Sequence, residues 1–169
     1  MKIIAAYPCL GMTTILNLNK DRCINRKFDI KRSVEGLGST ASERFFDCCA
    51  EIITLQYRSN PYEIMFIDDN DSLIKRLGND PELKRDIVLI YPNASDWNVM
   101  EEYLLRATEF YGAAWVKENL ETELFLLPDR IKYFRNEGYD IRLTNLVQKH
   151  IGDVYNLPKG FVAPYEEGF

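Results

Sequence analysis

The chain reads as an α/β protein, a three-layer, doubly wound and mostly parallel sheet. Three observations lead to that expectation. Short apolar runs at residues 3–6, 62–67 and 86–91 have strand length and enough apolar content to be covered on both faces. Helical repeats lie between and after them. Each run also closes on turn-forming residues: Pro8 and Gly11, Asp68-Asp69-Asn70, and Pro92-Asn93. Strand, helix, strand, helix, strand is the order of a doubly wound parallel sheet.

The elements follow in order. Ile3-Ile4-Ala5-Ala6 predicts a central strand that feeds a turn and a helix. Residues 40–57 place Phe45, Phe46, Cys49, Ile52, Ile53 and Tyr57 at helical spacing, with Ser42 as the expected N-cap. Residues 71–77 predict a short helix stopped by Gly78. A further helix, capped by Ser95 or Asp96, should run to about Tyr111. Two more are expected at 114–127 and 128–136, the second opening on Pro128 in its first turn and stopping at Gly138. No repeat or linker divides the sequence, so residues 1–169 are read as one domain, with a Pro- and Gly-rich tail from about 157.

Composition narrows the function classes. The net charge of −5 argues against nonspecific nucleic-acid or membrane binding. No long apolar stretch or signal-like N-terminus is present, so a cytoplasmic protein is expected. Cys9, Cys23, Cys48 and Cys49 lack C-x-x-C spacing, and His150 is the sole histidine, in a polar segment where a structural or exposed role is expected. The cysteines read as buried thiols of a reducing cytoplasm.

The most informative segment is Tyr7-Pro8-Cys9-Leu10-Gly11-Met12-Thr13-Thr14. The phosphate-loop pattern G-x-x-x-x-G-K-[ST] sits between a buried strand and a helix. Laid over this chain, it puts Ala6 at the first glycine, Gly11 at the second, Met12 at the lysine and Thr13 at the hydroxyl. Such a loop works largely through backbone N–H groups and the helix N-terminus behind them. Gly11 permits close approach, and Thr13 can present its hydroxyl to magnesium. Met12 removes the charge that a lysine places between the β- and γ-phosphates. Binding should therefore suffer less than chemistry. The plain alternative is an ordinary strand-to-helix turn.

Ile64-Met65-Phe66-Ile67 followed by Asp68 has the form of a strand delivering a carboxylate to magnesium beside Thr13. The competing reading is a turn, with Asp69 and Asp71 as helix caps. In the irregular stretch 25–40, Arg26 and Lys27 read as part of a solvated edge strand. Phe110, Tyr111 and Trp115 gather around Gly112, where they either pack two helices or stack on a base.

These residues together resemble the P-loop nucleoside and nucleoside-monophosphate kinases, especially small nucleotide-kinase-like proteins of phages and bacteria. The resemblance covers the layout of residues 2–136 and implies a P-loop nucleotide-kinase-like fold with ATP and magnesium as cofactors. It assigns Pro8, Cys9, Leu10, Gly11, Met12, Thr13 and Thr14 to the nucleotide, and Thr13 with Asp68 to the metal. Asp68, Arg106 and Arg130 become the catalytic candidates, the arginines as lid or charge-stabilising groups. Asp29, Arg32 and Ser33 become candidates for binding the second substrate.

Two functions follow as expectations. One is a nucleoside or nucleotide kinase, impaired by Met12 unless Lys20, Lys27, Lys132 or an arginine replaces the missing charge. The other is a noncatalytic protein that keeps the fold to hold a nucleotide or block a protein partner.

Overall fold

Ile64, Met65, Phe66 and Ile67 are all buried, as a strand covered on both faces requires. They form β3 (Ile64–Ile67), which lies beside β1 (Lys2–Ala6), buried from Ile3 onward. On the other side of β1 runs β4 (Ile87–Pro92), buried along its whole length. β2 (Cys23–Arg26) and β5 (Asp140–Thr144) flank these three, giving the order β2-β3-β1-β4-β5 with every pairing parallel. The computed structural model describes residues 1–59, 61–146 and 154–162. The expected α/β class is therefore present, with a sheet that is parallel throughout the described residues.

The helices are α1 (Met12–Leu18), α2 (Ile30–Ser33), α3 (Ser39–Ser59), α4 (Asp71–Leu77), α5 (Pro81–Asp86), α6 (Trp97–Tyr111), α7 (Ala113–Asn119) and α8 (Glu121–Asn136). From β1 the chain moves through α1 to the edge strand β2, and later crosses past β1 to β4 and β5. Right-handed crossovers in these opposite directions put α1 on one face and the other crossover helices on the other. α3 packs on α4 accordingly. Among the described residues no helix is long and apolar enough to cross a membrane.

Several boundaries differ from the sequence reading. α3 is already running at Ser42, whose N–H donates to the Gly38 carbonyl at 3.0 Å, so Ser42 is interior and not the N-cap. The cap of α4 is Asn70, which accepts from the Leu73 N–H, and neither Asp69 nor Asp71 caps it. Asp96, not Ser95, caps α6 by accepting from the Asn98 and Val99 N–H groups. Asp86 closes α5, so the third apolar strand starts at Ile87.

The expected helices 114–127 and 128–136 are divided in the wrong place. The break falls at Leu120, and Pro128 lies inside α8. Proline removes one donor, but Leu124, Leu127, Ile131 and Phe134 bury one continuous face and hold the helix through it.

Part of the expected tail is ordered into the fold. Arg22 stacks over the Phe161 ring, Asn19 exchanges hydrogen bonds with the Val162 backbone at 2.7 Å, and Tyr155, just before the tail, is buried. These contacts tie the segment to the turn that follows α1. Of the cysteines expected to be buried, Cys23 and Cys49 are, but Cys48 is exposed on α3 and Cys9 is half-buried in the loop after β1. His150 lies outside the described residues, as does the end of the tail.

Candidate functional site

Loops after three parallel strands open at one end of the sheet, the position where ligands sit in open α/β sheets. Residues 7–14 follow β1, residues 27–31 follow β2, and residues 68–72 follow β3. With the α6–α7 junction and α8, they line a cleft of about 990 Å³. That volume is at the upper end for small-molecule sites.

The loop after β1 is unusually free of internal hydrogen bonds. Tyr7 N–H pairs with the Ile90 carbonyl, and the next firmly paired amide is Ile15, which donates to Gly11. Among the described residues, the N–H groups of Cys9, Gly11, Met12, Thr13 and Thr14 have no hydrogen-bond partner, while that of Leu10 closes a loose turn on Tyr7. Those of Met12, Thr13 and Thr14 are the first-turn amides that any helix leaves unpaired, and with the loop amides before them they offer donors to an anion or to water. Cys9 and Gly11 both take positive φ, 65° and 80°, a conformation that recurs in backbone anion-binding nests. For Cys9 this is a strained conformation.

The carbonyls of the same loop are held. Tyr103 on α6 donates its hydroxyl to the Pro8 carbonyl at 2.7 Å. Tyr155 donates to the Leu10 carbonyl at 2.8 Å. Both tyrosines are essentially fully buried. With these two carbonyls taken, the loop offers its amides and the Thr13 and Thr14 hydroxyls. Burial pushes the Cys9 thiol up to about 11, partly countered by its hydrogen bond with Tyr111, so it is no thiolate at neutral pH. Met12, 6% exposed, packs in the core at the start of α1 and reaches the cleft wall, while Thr13 is exposed at its mouth.

Asp68 stands at the end of β3. Its carboxylate accepts the Phe28 N–H at 2.5 Å and the Ile30 N–H at 3.1 Å, clamping the turn before α2. Asp29, between these amides, is left-handed at φ 51°. Each Asp68 oxygen keeps lone pairs beyond the one amide that it accepts.

Arg130, a catalytic candidate, is instead paired with the two carboxylates expected to be helix caps. Arg130 on α8 makes a two-pronged bond to Asp69, at 2.8 and 2.7 Å, and a further bond to Asp71. Its guanidinium also lies over the Tyr91 and Phe134 rings. Burial disfavours the charge, but the Asp69 carboxylate more than offsets this and raises the Arg130 pKa above its ordinary value. Arg130 is thus bound to two carboxylates. The fork of Arg130 and Asp69 ties α8 to the β3–α4 turn.

Arg130, Asp29 and the loop residues 8–14 all line the cleft, and Asp68 joins them. Arg106, Arg32 and Ser33 do not. Arg106 donates to the Leu146 carbonyl at 3.0 Å, beside the end of β5, and Ser33 donates to the Phe28 carbonyl. Of the candidate replacement lysines, Lys27 lines the cleft and Lys20 and Lys132 do not. Lys31, which the sequence reading did not single out, lines it and pairs with Glu123 at 3.4 Å, joining α2 to α8. Phe110, Tyr111 and Trp115 also reach the cleft, with Tyr111 and Trp115 stacked at 4.1 Å. Among the described residues, no three His, Cys, Asp or Glu side chains gather as a metal site of their own.

The chain matches no protein-family model, and comparison with curated proteins finds no relative.

Proposed function

We propose that this protein binds a nucleotide by its polyphosphate in the loop of residues 7–14, as a P-loop kinase-like protein with impaired phosphoryl transfer. The observation that carries the reading is the loop from Cys9 to Thr14, in which five amides lack a partner and Cys9 and Gly11 take positive φ. An array of backbone donors at a helix start is suited to phosphate oxygens. The strand-end location and the size of the cleft agree with a nucleotide as ligand.

Magnesium fits the residues in a limited way. It is commonly held by one or two carboxylates, substrate phosphates and water. The exposed Thr13 hydroxyl and the remaining lone pairs of Asp68 are the groups for it here. When bound, it would neutralise phosphate charge. The chain's own residues position the polyphosphate through the amides but supply no lysine at Met12.

A noncatalytic role is the second reading, and two observations favour it. Arg130 is engaged by Asp69 and Asp71, and Asp68 is engaged by two backbone amides. Both residues have structural work independent of any reaction. Titration calorimetry with inorganic tripolyphosphate, then with magnesium-ATP, tests binding itself. Saturable heat with both supports the proposal. No heat with either, from a chain with a folded circular-dichroism spectrum, removes the loop as a nucleotide site.

A further inference from the structure

Large apolar side chains stay in water where α6, α7 and α8 meet. Phe110 is 54% exposed, Tyr111 48%, Leu126 55% and Phe125 83%. Phe110 and Tyr111 pack together, Tyr111 stacks on Trp115, and these three share the wall of the cleft with Leu126. Phe125, next to Leu126 on α8, lies outside the cleft. Single exposed apolar residues are ordinary, but an aromatic series continued onto a neighbouring helix marks a contact surface.

The charge around these side chains is one-sided. Residues 109–129 carry Glu109, Glu118, Glu121, Glu123 and Asp129 against one cation, Lys117. On α8, Glu121 and Asp129 lie one turn to either side of Phe125, which sets the ring between two exposed carboxylates on one face. Among the described residues, Glu118, Glu121 and Asp129 make no ion pair. Arg130 is held by Asp69 and Asp71, and Lys132 lies past Asp129 at the far edge of that face. Apolar anchors framed by open carboxylates define the occupant. A nucleic acid or an anionic membrane would meet like charge, and a second copy docked through this face would set carboxylate against carboxylate. A cationic helix with an apolar stripe suits both features, covering the rings while its cations meet the acids.

We propose that the surface carrying Phe110, Phe125 and Leu126 is a docking site for a basic amphipathic helix of a partner protein. Phe125 and Leu126 enter the partner's apolar stripe, and Glu118, Glu121 and Asp129 pair with the lysines or arginines beside it. The site stands apart from the nucleotide reading of the loop, because Phe125, Glu118, Glu121 and Asp129 do not line the cleft.

The test is equilibrium binding of three labelled peptides to the full chain. The first sets leucines at helical i, i+3, i+4, i+7 spacing on a lysine background. The second has the same composition in scrambled order, and the third replaces lysine by glutamate. The first should bind about tenfold or more tightly than either control, and its affinity should fall several-fold as salt rises from about 0.05 to about 0.3 M. Phe125→Ser should weaken it about tenfold, and Glu121→Lys with Asp129→Lys should weaken it and flatten the salt dependence. Neither change should move the thermal midpoint, since all three side chains are exposed. No binding, equal binding of the three peptides, or affinity indifferent to Phe125→Ser or to the charge reversals would each overturn the proposal. Self-association in sedimentation that Phe125→Ser abolishes would give the face to a second copy and overturn it as well. Phe110→Ser weakening magnesium-ATP but not the peptide would assign that ring to the nucleotide and remove it from the docking site.

Discussion

Tyr155 donates its hydroxyl to the carbonyl of Leu10 at 2.8 Å, across 145 positions of sequence. A residue near the end of the chain thereby shapes a loop near its start. Tyr103 does the same for Pro8 from α6. Two carbonyls of that loop are thereby held by buried hydroxyls, which fixes the backbone that carries its amides.

Removing these hydroxyls should loosen the loop. Tyr155→Phe leaves the Leu10 carbonyl without its buried donor and should cost about 1–3 kcal/mol of stability. Urea unfolding measures this directly. Tripolyphosphate affinity should fall several-fold in the same variant, and further in the double variant with Tyr103→Phe. Unchanged affinity in the double variant would mean that the loop keeps its shape unaided.

Asp68 offers a way to separate clamp from metal ligand. Asp68→Asn retains one acceptor for the amides of Phe28 and Ile30 but turns an NH2 group toward the other. It should lower stability by about 1–3 kcal/mol whether or not magnesium is present. If Asp68 also serves magnesium, the affinity for magnesium-ATP should fall more than that for metal-free tripolyphosphate. Equal losses for both ligands would leave Asp68 as a clamp alone.

Arg130 and Asp69 have side chains only 18% and 7% exposed, so the bond is sensitive to losing one partner. Arg130→Met should destabilise by about 3–5 kcal/mol because it leaves Asp69 buried without its cation. Adding Asp69→Leu should recover much of that loss. A double variant as unstable as the single one would show that other contacts of Arg130, such as those over Tyr91 and Phe134, dominate.

The buried strands were legible because they obey one simple rule. Ile64–Ile67 and Ile87–Pro92 are covered on both faces, so unbroken apolar runs betray them. The edge strand β5 carries Asp140 and Arg142 and is only half buried, which hides it among polar segments. α5 was missed although Asp80 followed by Pro81 is a strong start signal, since its body Glu82–Asp86 has only Leu83 to bury. In the site, Gly11 and the adjoining strand were readable because their meaning is local. The pinning by Tyr103 and Tyr155, and the Arg130–Asp69 fork, depend on contacts between residues 61 to 145 positions apart. No periodicity encodes such pairings.

Alkaline pH should unfold the protein through its tyrosines. Burial and then the hydrogen bond to Asp86 push Tyr57 up to about 12 from its ordinary 10.0. Tyr7, Tyr91, Tyr103 and Tyr155 are shifted upward as well, chiefly by burial. The folded state holds these protons more tightly than the unfolded chain. Their contribution is complete below pH 10 and is lost as pH rises through the folded values, beginning between 10 and 12 for Tyr57. Thermal midpoints should thus be flat with respect to these groups near neutrality and fall above pH 10. Tyr57→Phe should reduce the slope between 10 and 12.

Met12 provides the sharpest test of the chemistry. A lysine at this position starts in the core wall, but Met12 also reaches the cleft, so the longer chain can carry its ammonium to the phosphate side. Met12→Lys should therefore tighten tripolyphosphate binding and raise phosphoryl transfer from magnesium-ATP to a nucleoside panel. One added charge-assisted contact in a shielded site is worth on the order of 3 kcal/mol in the transition state, about a hundredfold in rate. Asp68→Asn in the Met12→Lys background should then abolish the gain if magnesium is placed by that carboxylate. Should Met12→Lys bind polyphosphate no better and transfer nothing, the kinase reading fails and the noncatalytic one replaces it. Brisk transfer by the unaltered chain would instead mean that another cation serves the phosphates. Lys27 and Lys31, which line the cleft, are the first to change to methionine in that case, and Lys20 and Lys132, which do not, are the controls.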